Sequence, residues 1–131
     1  MSEFRRAITV LTLAAASALP CLPAQAAGSL TVENGLAACM AVQTGARTTA
    51  HGTTLQDVTL DIRKPIGECG CTSAIVAYAA YANAEGGARS LLLQGRIGAR
   101  KSGPISLPLA ADATLIGDRP ATLSLGCAAP D

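Results

Sequence analysis

Residues 58–82, VTLDIRKPIGECGCTSAIVAYAAYA, decide the fold. Val58, Leu60 and Ile62 alternate with Thr59, Asp61 and Arg63. A period of two gives a strand one apolar and one polar face, and Pro65 with Gly67 ends the run. Beyond Cys69-Gly70-Cys71, the stretch Thr72–Ala82 is apolar at both parities, which predicts a central strand covered on both sides; its alanines keep a helix as the competing reading. Asn83, Gly86 and Gly87 then mark a turn. Ser90–Ile97 (SLLLQGRI) reads as the returning strand of a hairpin, with Gly95 as a candidate bulge.

The same alternation extends in both directions. After a polar turn over Gly98–Pro104, Ile105, Leu107 and Leu109 alternate with Ser106, Pro108 and Ala110, and Pro108 has no N–H for a ladder, so this strand belongs at a sheet edge. In Ala121–Cys127 (ATLSLGC), Leu123, Leu125 and Cys127 are in phase, which predicts Cys127 pointing into the core. Toward the N-terminus, Leu30–Val32 reads as extended, and Leu36–Val42 (LAACMAV) fits either a strand or one or two helical turns. Short strands about ten residues apart, with Gly and Pro turns between them, predict an all-β domain. The architecture expected is a small immunoglobulin-like β-sandwich stapled by disulfides, in preference to a small barrel.

The first 26 residues read as a cleavable export signal. Arg5 and Arg6 outweigh Glu3, Ala7–Leu19 is apolar or small throughout, and Ala24-Gln25-Ala26 follows the helix-breaking Pro20 and Pro23. The apolar run is too short to span a hydrocarbon layer of about 30 Å as a helix. Cleavage is expected between Ala26 and Ala27, giving a signal over 1–26 and one domain over 27–131. Pro20 before Cys21 disfavours lipidation of that cysteine, and the residues around Arg5-Arg6 fit a twin-arginine signal poorly. No second long apolar run follows, so the mature chain is expected to be periplasmic or secreted and free of the membrane.

Removing Arg5, Arg6 and Glu3 from the ten basic and nine acidic residues leaves eight of each. A neutral surface gives no electrostatic reason for nucleic acid or an anionic membrane as partner. The only Phe, Phe4, lies in the signal, leaving Tyr78 and Tyr81 as the aromatic residues of the mature domain. That is a thin platform for stacking bases or sugars. It also leaves a core of Ala, Val, Leu and Ile, which buries less area per residue than aromatics and calls for staples.

Cys39, Cys69, Cys71 and Cys127 supply them, because an even set of cysteines in an oxidising compartment reads as a disulfide framework. Of the three connectivities, a direct Cys69–Cys71 bridge would close a very small, strained ring. Cys39 with Cys69, and Cys71 with Cys127, is the pairing favoured here over the remaining alternative.

If Cys69-Gly70-Cys71 is extended, both sulfurs project to one side. Such a pair suits thiol–disulfide exchange, but the flanking charge is Glu68 rather than a cation that would lower a thiol pKa. It also suits copper or zinc, with His51 and Met40 as further ligands, but these four are scattered along the chain. No metal, cofactor or catalytic residue is therefore assigned. His51, the single histidine, lies in a polar stretch (TTAHGTT) that reads as an exposed loop. Lys101-Ser102-Gly103 looks like the third motif of penicillin-recognising enzymes, yet neither Lys64 nor Lys101 has the serine three residues earlier that their nucleophile box needs, so it reads as a turn. Asp57, Asp61, Glu68, Asp112 and Asp118 read as surface charges.

Residues 53–78 (TTLQDVTLDIRKPIGECGCTSAIVAY), together with the closing LSLGC, resemble a family of small exported bacterial proteins defined only as a domain of unknown function. The resemblance rests on the Cys-Gly-Cys, the strand before it and the late cysteine, and it implies no activity or site to transfer. The expectation is a non-enzymatic interaction or structural module with a protein partner; soft-metal binding through Cys69 and Cys71 is the alternative, and thiol-redox chemistry the next. Intact-mass measurement on protein exported by a bacterial host should give the mass of residues 27–131 less four hydrogens, with no alkylation before reduction. A retained leader or reactive thiols would contradict this reading.

Overall fold

Alternating side chains sort the chain into two layers. The computed structural model describes residues 28–130; the expected signal at 1–26, with Cys21, lies outside the described residues. Seven strands follow in order: β1 Leu30–Asn34, β2 Met40–Ala50, β3 Thr53–Ile62, β4 Ile75–Asn83, β5 Arg89–Gly98, β6 Gly103–Ala110 and β7 Ala121–Cys127. One sheet has the order β1-β7-β4-β5, the other β2-β3-β6. Strands β1 and β7 run parallel and every other pair is antiparallel. The architecture is an all-β sandwich. Its four-plus-three division is that of an immunoglobulin-type domain, threaded in its own order: the hairpins β2–β3 and β4–β5 each stay within one layer. No helix among the described residues is long and apolar enough to cross a membrane.

The core lies between the layers. Val58 and Leu60 of β3 and Leu107 and Leu109 of β6 face Val76 and Ala80 of β4 and Leu123 and Leu125 of β7, all buried. Ile66 and Ile116, from the connections, are buried with them. Each fully buried Val, Leu or Ile contributes about 1.5–3 kcal/mol. Strand β6 is an edge strand, as Pro108 requires.

Four local expectations are corrected. Strand β4 begins at Ile75, and its two faces differ: Val76, Tyr78, Ala80 and Ala82 are buried, while Ala77, Ala79 and Tyr81 are half-buried. Only one face meets the second layer, and alanine's single methyl is tolerated on the other, which hid the alternation. Leu36–Val42 divides into a turn over 35–39 and the start of β2 at Met40. The polar stretch around His51 is strand on both sides of a two-residue hairpin turn, in which His51 and Gly52 both take positive φ (50° and 78°). Gly95 is not a bulge, because the irregularity falls between Ala80 and Tyr81, opposite Leu92.

Gly95 instead makes room for an aromatic ring. It pairs with Tyr78 across the hairpin, and a Cβ there would lie 2.5 Å from the Tyr78 ring. The ring passes this gap, and its hydroxyl donates to the Pro108 carbonyl of β6 at 3.1 Å, joining the layers along one side. On the other side Arg47 of β2 donates to the carbonyls of Arg119 (3.0 Å) and Ser29 (3.3 Å). Within the three-stranded sheet, the buried Gln56 fills an irregularity of β2, its amide donating to the Gly45 carbonyl at 2.9 Å.

Gly95→Ala should destabilise the fold by about 1–3 kcal/mol in chemical denaturation, since the new methyl must displace a packed ring. Tyr78→Phe should cost about 1 kcal/mol near neutral pH. Burial pushes the Tyr78 hydroxyl above its ordinary pKa of 10.0. The folded state holds the proton more tightly than the unfolded chain, so this contribution is complete below the unfolded pKa and is lost as pH rises through the folded one. Stability measured against pH should therefore fall less steeply on the alkaline side in Tyr78→Phe than in the natural chain; equal slopes would contradict the assignment.

Candidate functional site

The Cys-Gly-Cys lies on the crossover from β3 to β4, and it is not extended. Pro65 stops β3 and opens a short 3-10 turn over Ile66–Cys69, with the Glu68 N–H donating to the Pro65 carbonyl at 3.0 Å. Gly70 then takes the left-handed region (φ 93°), its N–H reaching the Gly67 carbonyl at 3.2 Å. This turn sends the two sulfurs apart rather than to one side. Cys69 bridges to Cys39, just before β2, with Cα atoms 6.2 Å apart; Cys71 bridges to Cys127, at the end of β7, with Cα atoms 5.1 Å apart.

The four cysteines differ in depth. Cys39 is fully buried and Cys71 buried, Cys69 is half-buried, and Cys127 is exposed. Cys127 therefore does not enter the core, contrary to its phase with Leu123 and Leu125. It shares a register position with the buried Val76, but it is the last residue of its strand, where packing gives way to the crossover. Phase sets the side to which a residue points and not how deep it lies.

With these four sulfurs bonded in pairs, no thiol among the described residues is left for exchange or for a metal. The other candidate ligands are not brought to them. Met40 is fully buried, and His51 lies at the far end of the ten-residue β3, roughly 33 Å away at about 3.3 Å per residue. No group of three or more His, Cys, Asp or Glu among the described residues could hold a metal ion. The acidic side chains serve locally. Asp57 accepts from the Ser106 hydroxyl, and Asp61 pairs with Arg63 at 3.4 Å. Asp112 accepts from the Thr114 backbone N–H at 2.9 Å and from its hydroxyl, which holds the carboxyl below the usual range.

Beside the stapled crossover opens a cavity of about 540 Å³. Ile62, Ile66 and Ala99 give it apolar walls, Thr72 and Ser73 bring hydroxyls, and Arg63, Lys64 and Arg100 bring positive charge. Its backbone is fixed. The N–H groups of Arg63 and Lys64 donate to the Cys39 carbonyl at 2.8 and 3.3 Å, and the Ala99 N–H donates to the Ala74 carbonyl at 2.9 Å. Sequence reading missed this cavity because its parts come from three separated segments; the only signal was Arg63-Lys64 and Arg100-Lys101, each beside a turn.

Also unread in the sequence was an ion pair across the outer face of the four-stranded sheet. Arg89 of β5 donates twice to Glu33 of β1, at 3.1 and 2.5 Å, although two strands lie between them. Its guanidinium lies 6.0 Å from the centre of the Tyr81 ring on the way. The Arg89 hydrogen bonds hold the Glu33 carboxyl below its ordinary pKa. Among the described residues each sheet ends on two strands with no further strand paired to them: β1 and β5 in one, β2 and β6 in the other.

Fold and stapled crossover together define a small all-β sandwich whose two layers are tied through one disulfide-bonded turn. The chain belongs to the bacterial family DUF2195, described as an uncharacterized protein conserved in bacteria, whose profile matches residues 10–130. The kinship carried by the Cys-Gly-Cys and the late cysteine is thereby shown. No curated protein and no solved structure matches the chain.

The bridges close stretches of 30 and 56 residues, for which chain-entropy reasoning gives about 4 kcal/mol each. Replacing Cys71 and Cys127 together by serine, or Cys39 and Cys69 together, should lower stability by up to that amount in denaturant unfolding. A loss below about 1 kcal/mol from either pair would show that the crossover is held without its bridge.

Proposed function

We propose that this protein is an exported, non-enzymatic interaction module that receives a strand of a protein partner on its β5 edge. Export is supported by the signal-like leader and by two disulfides, which persist in oxidising compartments. A non-catalytic role is supported by the engagement of the four described cysteines in bridges and by the separation of His51 from them.

The observation that carries the proposal is the inequality of the four edges. Strand β6 contains Pro104 and Pro108, which cannot donate to an incoming strand. Strand β1 has only five residues. Strand β2 is polar along its exposed stretch (QTGARTTA). Strand β5 is ten residues long, carries the apolar run Leu91-Leu92-Leu93, and leaves Leu91 54% exposed. Long apolar edges are sites of strand addition: main-chain hydrogen bonds give affinity, and alternate side chains give selectivity.

A photo-crosslinking residue placed at Leu91 or Gln94 in the exported protein should give a discrete covalent product in intact cells. The same residue at Ser106 on β6, or at Thr48 on β2, should not. Equal labelling from all four positions, or none from β5, would overturn the proposal.

A further inference from the structure

We propose that the cavity beside the disulfide-bonded crossover binds an anionic amphiphile, an apolar chain ending in a carboxylate. This goes beyond the interaction module and does not rest on the β5 edge. The first argument is the distribution of charge. Among the basic residues, Arg47 is turned onto the Ser29 and Arg119 carbonyls, Arg89 is paired with Glu33, and Arg119 is bonded to the Ile116 carbonyl. Arg63, Lys64 and Arg100 line this one cavity, and Lys101 follows on the same turn.

The acidic residues nearby do not neutralise them. Asp61 takes Arg63, Glu68 makes no ion pair, and Lys64 and Arg100 have no carboxylate within ion-pair distance among the described residues. Two exposed positive charges therefore line the cavity, as do Thr72 and Ser73 with their hydroxyls. Charge-assisted hydrogen bonds to a carboxylate are the strong ones such groups can make.

The second argument is the apolar interior. Ile66 is fully buried, Ala99 and Cys71 are buried, and Ile62 is half-buried; all four line the space. Of these four it is chiefly Ile62 that presents surface to water, and a hydrocarbon chain would cover it where a small hydrophilic anion would not. The volume falls in the range of about 300–1,000 Å³ that small-molecule sites occupy. The third argument is rigidity: Ile66, Gly67 and Cys71 of the lining belong to the turn that both disulfides hold, so little ordering opposes binding.

The test uses the oxidised, exported protein, isotope-labelled for NMR and titrated with decanoate below its aggregation concentration. Saturable amide shifts should cluster at Ile66, Thr72, Ser73 and Ala99. Decanol should bind at least about tenfold more weakly, and Lys64→Gln with Arg100→Gln should weaken decanoate by about tenfold while leaving decanol binding and thermal unfolding unchanged. Shifts scattered over the surface, acetate binding as tightly as decanoate, or a double variant that binds decanoate like the natural chain would each overturn the proposal.

Discussion

The structure depends on one short turn, Ile66–Cys71, and on the two disulfides that hold it. Through Cys69 it is tied to the start of β2 in the three-stranded sheet, and through Cys71 to the end of β7 in the four-stranded sheet. The turn also contributes Ile66 to the core. A sandwich of this size with two tyrosines and no other aromatic residue among its described residues has a core of aliphatic side chains and alanine. Such a core stabilises less per residue than an aromatic one, and covalent links that restrict the unfolded chain offset the difference.

Away from that end, polar contacts hold the layers along their sides. Tyr78 crosses above Gly95 to the carbonyl of Pro108, and Arg47 reaches two carbonyls on the opposite side. Each uses a long side chain with a polar tip, so one residue both fills space and satisfies a backbone group that strand pairing leaves over. On the outside of the four-stranded sheet, Arg89 lies beside Tyr81 and ends on Glu33. The face left half-buried by small alanines is thereby partly covered.

These constraints divide the molecule into surfaces of different character. The stapled end is rigid and carries the cavity with a lysine and an arginine that have no ion-pair partner among the described residues. The strand edges are unequal, with prolines on β6 and an apolar run on β5. Among the described residues the bridges leave no free thiol. Recognition through a fixed cavity and an open edge needs no moving part.

Local pattern was legible in the sequence. The alternation of Val58, Leu60 and Ile62, the edge position implied by Pro108, the hairpin after Asn83 and the span of β7 all follow from periods of two and turn chemistry, which neighbouring residues set among themselves. The need for staples followed from composition; the strain of a Cys69–Cys71 ring left two pairings, and the tertiary structure has the favoured one. Depth and juxtaposition were not legible. Cys127 has the phase of a core residue and is exposed, Gln56 is polar and buried, and Gly95 reads as a bulge until the ring of Tyr78 is placed opposite it. The cavity gathers residues from 62–67, 71–74 and 99–100, segments that meet only when two crossovers pass the same end of the sandwich. The tertiary structure decided these features because burial and proximity depend on which layer lies opposite, and period-two alternation carries no information about that.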